Sequence, residues 1–147
     1  MAIEVRPVGP DKRADWEPLW RDYLAFYETV LPPATYDLTW RRLHDPAEPM
    51  FLLGGYVDEA LKGIVHYLFH RSNWTTTDVC YLQDLFVAPE ARGAGLGRGL
   101  IEAVADKARA AGAPRLYWMT HETNATARAL YDAVAERSGF IQYRKPL

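Results

Sequence analysis

Apolar and polar positions change period several times along the chain, and each change predicts an element. Ile3, Val5 and Pro7 alternate with Glu4 and Arg6, the two-residue period of a half-buried strand. From Asp11 the period lengthens. Trp16, Leu19, Trp20, Tyr23, Leu24, Tyr27 and Val30 recur at three- and four-residue spacing, which predicts an amphipathic helix with a broad aromatic face. Pro32-Pro33 stops that helix, because proline donates no amide and restricts the residue before it. A short helix over 38–43 ends at the Asp45-Pro46 turn. Two strand-like runs, 50–57 and 61–70, are separated by Asp58-Glu59-Ala60, a hairpin-length connection.

The second half alternates strand and helix. Residues 79–87 form the most apolar strand, broken by Ala88-Pro89-Glu90. A helix over 96–111 carries Leu96, Leu100, Val104 and Ala108 on one side, with Gly112 and Pro114 as its stop signal. A strand over 116–120, a helix over 125–134 and a closing strand over 140–144 complete the chain. With no repeat, linker or low-complexity tract, residues 1–147 read as one domain built on an α+β or mixed α/β sheet.

Composition narrows the function classes. A formal net charge of −2 argues against nucleic acid or an anionic membrane as partner. No apolar run approaches the roughly 20 residues that span a bilayer. The first residues show neither a basic nor an apolar leader region, so a cytoplasmic protein is expected. The single cysteine, Cys80, cannot form an internal disulfide and cannot supply a structural zinc site alone; no metal is expected.

The densest chemical signal is Arg92-Gly93-Ala94-Gly95-Leu96-Gly97-Arg98-Gly99, lying between a strand and a helix. Alternate glycines leave the backbone unshielded, so successive N–H groups can converge on an anion. The helix that begins there adds its partial positive charge, and Arg92 and Arg98 can pair with phosphate oxygens. A Walker loop is excluded, since Arg98-Gly99 stands where Lys-Ser/Thr is needed. A dinucleotide fingerprint is excluded too: counted from Gly93 its last glycine is Arg98, and from Gly95 it is Leu100. A phosphate cradle of another kind remains.

The segment Leu82-Gln83-Asp84-Leu85-Phe86-Val87-Ala88-Pro89-Glu90-Ala91-Arg92-Gly93-Ala94-Gly95-Leu96-Gly97 closely resembles the signature strand, turn and Arg-x-x-Gly-x-Gly loop of the GNAT N-acetyltransferases. Asn124, Ala127, Leu130 and Tyr131 resemble that family's second block. The resemblance runs over most of the chain and is nearest to the small branch of fungal histone/polyamine and spermidine/spermine acetyltransferases. It implies a mixed, mostly antiparallel central sheet flanked by helices and splayed at the acetyl-CoA site. It further implies direct acetyl transfer from acetyl-CoA to a primary amine of a small molecule or protein, in a ternary complex.

Carried over residue by residue, the resemblance places the cofactor arm against the strand backbone at Leu85, Phe86 and Val87. The pyrophosphate falls on Arg92, Gly93, Ala94, Gly95, Leu96, Gly97 and Arg98, with Asn124, Arg128 and Tyr131 facing the cofactor. The Leu85 N–H would hold the oxyanion, and Tyr131 would protonate the departing thiolate. Many relatives carry Glu where this chain has Gln83, and an amide cannot take a proton. The base is then Asp84 through water, Glu28, His66 or a water chain. Tyr27, Glu28, Gln83 and Asp84 are the acceptor-side candidates, since aromatic rings beside carboxylates suit an ammonium. Gln83 also leaves open a second reading, a catalytically weak acyl-CoA-binding regulatory module. Relatives in this branch pair their C-terminal strands across a twofold axis, which implies a homodimer.

Overall fold

The structure, a computed structural model, describes residues 2–147. Its five strands run in sequence order across one sheet: β1 (Ile3–Pro7), β2 (Met50–Val57), β3 (Ala60–His70), β4 (Val79–Val87) and β5 (Leu116–Tyr117). The first three pairings are antiparallel and only β4–β5 is parallel. Helices α1 (Arg13–Phe26) and α2 (Pro33–Leu43) cover one face, and α3 (Leu96–Ala110) and α4 (Ala125–Val134) the other. This is the mixed, mostly antiparallel arrangement expected.

Two apolar clusters hold the layers together. Trp16, Leu19, Trp20 and Leu24 of α1 meet Leu52, Ile64 and Phe86 of the sheet. Leu96, Leu100, Val104 and Ala108 of α3 meet Leu53, Val65, Tyr67, Cys80 and Leu82 on the opposite face. The predicted stripe of α3 is therefore the buried one. Gly55 makes its close approach possible, because a Cβ there would lie 2.6 Å from Leu96 Cδ1. The β2–β3 hairpin turns on Asp58 and Glu59, both at positive φ (47° and 70°), the backbone of a two-residue primed turn.

Four expectations are corrected. Helix α1 ends at Phe26, before the prolines: Glu28 takes φ 53° and the Thr29 N–H caps Leu24 O at 2.9 Å, so Val30 lies outside the helix and 94% exposed. Pro33 is the first residue of α2 rather than a stop, the position where a missing amide is not needed. Strand β5 has two residues instead of five. Residues 140–144 form no strand; Phe140, Ile141 and Tyr143 are exposed and meet no sheet edge within the chain.

Candidate active site at the splayed strands

The short β5 creates the site. Cys80, wholly buried, pairs with Leu116, and Tyr81 pairs with Tyr117, their rings stacked 4.7 Å apart. Beyond these pairs the parallel strands part, and a gap opens along the second half of β4.

A β-bulge decides what faces that gap. His66 pairs with Asp84 and Tyr67 with Leu82, so Gln83 is the extra residue of β4. Before the bulge, the Cys80 N–H points toward β5, donating to Arg115 O at 3.0 Å. After it, the Ala88 N–H points the other way, donating to Lys62 O of β3 at 2.7 Å. Backbone groups alternate sides along a strand, so counting back from Ala88 turns the amides of Val87 and Leu85 toward the gap. Without the extra residue the amides of Asp84 and Phe86 would face it instead.

Phe86 is thereby placed away from the gap. Its side chain lies in the α1 cluster and its amide on the β3 side, so of the three strand residues expected at the cofactor arm only Leu85 and Val87 qualify. The Val87 carbonyl already accepts Arg92 Nε at 3.0 Å. Arg92 therefore reaches back along the strand, and only its terminal nitrogens are left for a phosphate.

The loop that follows leaves its backbone bare. Gly93 and Gly95 adopt φ of 83° and 85°, and Gly95 caps α3 in the left-handed region. No backbone acceptor within the described residues takes the amides of Gly93, Ala94, Gly95, Leu96, Gly97 or Arg98. The first bond of the helix is Gly99 N–H to Gly95 O at 3.0 Å. A Cβ at Gly93 or Gly95 would meet nothing within 4 Å, so the cradle is open as well as bare. Six free amides at a helix N-terminus fit a diphosphate.

On the α4 side, only one of the three expected residues packs toward β4. Tyr131 lies in the cluster containing Leu85, edge-on to Trp118 at 5.5 Å. Burial raises its phenol above the ordinary 10.0, with Tyr27 adding to the shift, so it stays protonated. Asn124 caps α4, accepting from the Ala127 N–H at 3.5 Å and donating to Thr120 Oγ1 at 3.3 Å. Arg128 donates to Glu122 O at 2.7 Å. Both tie down the loop before α4.

The opposite side of the gap is a ring of phenols around one carboxylate. The bulge leaves Gln83 exposed and turns Asp84 toward α1, where its side chain is 13% exposed. Tyr23, Tyr27 and Tyr81 all have raised phenol pKa values, first through burial and then through the Asp84 charge. His66 Nδ1 lies 3.0 Å from Asp84 Oδ2, while its Nε2 accepts the Trp16 indole N–H at 3.0 Å. Both ring nitrogens of His66 are therefore engaged. Tyr27 also stacks on His121 at 5.2 Å, beside a groove of about 470 Å³ lined by Phe26, Glu28 and Thr123 among others.

Tyr81 and His121 were not singled out from sequence. Tyr81 is on the acceptor side only because the bulge two residues later puts Asp84 on its face, and His121 belongs to a loop with no periodicity.

The sheet, its splay and the amide-lined loop define an acyltransferase. The chain belongs to the GNAT acetyltransferase family, whose description, "Acetyltransferase (GNAT) family", matches residues 16–135. It is 34% identical over 145 residues to the D-amino-acid N-acetyltransferase HPA3 of Saccharomyces cerevisiae, covering 97% of this chain and 90% of that one. It is 42% identical over 143 residues to the uncharacterized N-acetyltransferase YhfO of Bacillus subtilis, covering 96% and 95%. The fold superposes on AAC(6')-Iy, solved with the bisubstrate analog CoA-S-monomethyl-acetylneamine, with TM-score 0.85 at 18% identity and full coverage of both chains. The chain is an N-acetyltransferase of a family that uses acetyl-CoA, and none of its described helices is long and apolar enough to cross a membrane.

Proposed function

We propose that residues 1–147 form one catalytic domain that acetylates a small primary amine directly from acetyl-CoA, with Asp84 receiving the acceptor's ammonium group. The observation that carries this reading is a lone carboxylate, Asp84, surrounded by neutral donors and placed one residue from the gap-facing Leu85 amide. The name of the yeast relative makes free amino acids the first acceptor class to test.

Acetyl-CoA supplies the activated thioester. The amides of residues 93–98, with Arg98 and the free end of Arg92, hold its diphosphate, and the Leu85 and Val87 amides align its arm. The Leu85 N–H stabilises negative charge developing on the carbonyl oxygen. Asp84 orients the ammonium and accepts one of its protons, leaving a neutral nitrogen nucleophile and a protonated carboxyl group. The Tyr131 hydroxyl, with no hydrogen-bond partner among the described residues, donates a proton to the leaving sulfur, and the second proton that the nitrogen loses as the amide forms returns through solvent to the phenolate.

A thiol-release assay across amino acids, polyamines and peptides, run beside a calorimetric titration with coenzyme A, tests this reading. Amine-dependent release of free CoA is expected. Binding without release for every amine would point instead to a regulatory acyl-CoA-binding module.

Glu28 provides a separate check. It is exposed at the groove and holds φ 53°, where a non-glycine residue costs about 1 kcal/mol or more. Glu28→Gly is expected to raise the melting temperature by a few degrees while raising KM for cationic acceptors, as measured by thermal denaturation and initial rates. A lower melting temperature with unchanged KM would assign Glu28 to the helix end alone.

The reading extends to a cytoplasmic homodimer. The unpaired, apolar 140–144 segment is suited to add to a second copy's sheet edge. Light scattering is expected to give twice the 16.7 kDa chain mass, and half that mass after Ile141→Asp.

A further inference from the structure

Asp84 does not stand alone: a hydrogen-bonded chain runs to it from the buried face of α1. Trp16, 0% exposed, donates its indole N–H to His66 Nε2 at 3.0 Å, and His66 Nδ1 lies 3.0 Å from Asp84 Oδ2. An indole nitrogen can only donate. His66 Nε2 must therefore carry a lone pair, and the ring proton sits on Nδ1, aimed at the carboxylate. Trp20 packs against the imidazole edge-on at 4.8 Å.

The chain ends at the site's pivot. His66 and Asp84 are cross-strand partners immediately beside the Gln83 bulge, the irregularity that turns the Leu85 amide into the gap. Asp84 Oδ2 is held from the core, and the same carboxylate faces the phenols of Tyr23 and Tyr81.

We propose that Trp16 and His66 are positioning residues for acetyl transfer: Trp16 fixes the Nδ1–H tautomer of His66, and His66 fixes the carboxylate that receives the acceptor amine. This rests on the role given to Asp84 above. His66 itself takes no proton from substrate, because neither nitrogen is free. Its neutral form leaves the negative charge of Asp84 available to the incoming ammonium. A purely structural tether between α1 and the sheet would use the same bonds without setting the chemistry, and the two roles separate experimentally.

The first measurement is a nitrogen-15 spectrum of the imidazole in the full-length protein. His66 is expected to show a protonated Nδ1 and an unprotonated Nε2, and Trp16→Phe to mix the two tautomers. An Nε2–H form in the wild type would overturn the proposal. The second compares His66→Asn with His66→Leu. Asparagine keeps an N–H near the Nδ1 position, whereas leucine gives the better apolar packing. His66→Leu is expected to melt higher than His66→Asn yet to be slower, with kcat for the amine reduced about ten-fold relative to wild type and KM for acetyl-CoA unchanged. Rates that simply follow the melting temperatures would reduce the chain to a tether. A slow Asp84→Asn variant beside a fully active His66→Leu would sink this proposal alone. A fully active Asp84→Asn variant would remove the reading of Asp84 on which it rests.

Discussion

Asp84→Asn is expected to lower kcat/KM for the amine acceptor by about a hundred-fold at neutral pH, with acetyl-CoA affinity unchanged. Asparagine is nearly isosteric and can still accept the His66 Nδ1–H through its carbonyl, so the fold and the chain from Trp16 persist. What it loses is charge and basicity. The free amine of an alkylammonium with pKa about 10.4 lies some 4–5 kcal/mol above the ammonium at pH 7, and without a carboxylate that cost falls on the substrate alone. The deficit should shrink as pH rises toward the pKa of the amine, since the neutral nucleophile is then supplied by solution. Initial rates for one amine across that range, wild type beside variant, give the comparison. Parallel profiles of equal height would leave Asp84 without a role in the chemistry.

The second large effect is expected at Tyr131. Tyr131→Phe keeps the ring against Trp118 and the Leu85 cluster and removes one hydroxyl, so turnover should fall about ten-fold or more while acetyl-CoA affinity changes little. The acid form of the phenol is the active one. Because burial moves its pKa above the ordinary 10.0, that form is retained until the solution is strongly alkaline. The wild-type rate should therefore show no descending limb from this group between about pH 7 and 9. Steady-state rates over that interval, with calorimetry for the cofactor, check both statements. Equal turnover in the two proteins would leave the leaving sulfur to be protonated by water.

The parts of this site that could be read from the chain are those set by local backbone chemistry. Glycines at positions 93, 95 and 97, directly between an apolar strand and an amphipathic helix, give bare amides at a helix N-terminus in any fold that keeps that order. The faces of α1 and α3 were equally legible, since a 3.6-residue period fixes which side is buried. Asp84 is a different matter. Strict alternation puts Gln83 and Asp84 on opposite sides of a strand but does not say which side is which, and one unpaired residue reverses the answer for everything after it. No residue type marks that bulge. The tail shows a limit of another kind: Phe140 and Ile141 look like strand residues, yet a strand forms only where it pairs with an edge, and this segment pairs with none in the described residues. The end of α1 was misplaced because glutamate rarely holds the left-handed conformation that Glu28 adopts.

Cys80 gives the protein a built-in reporter of its own integrity. Its side chain is buried in the cluster under α3 and burial pushes its thiol up to about 11, so at pH 8 the reactive thiolate is scarce. An aromatic disulfide dye added to the folded enzyme should record coenzyme turnover against almost no background. Once the sheet opens, the same dye should gain one further equivalent per polypeptide, so a single cuvette can follow both catalysis and loss of structure.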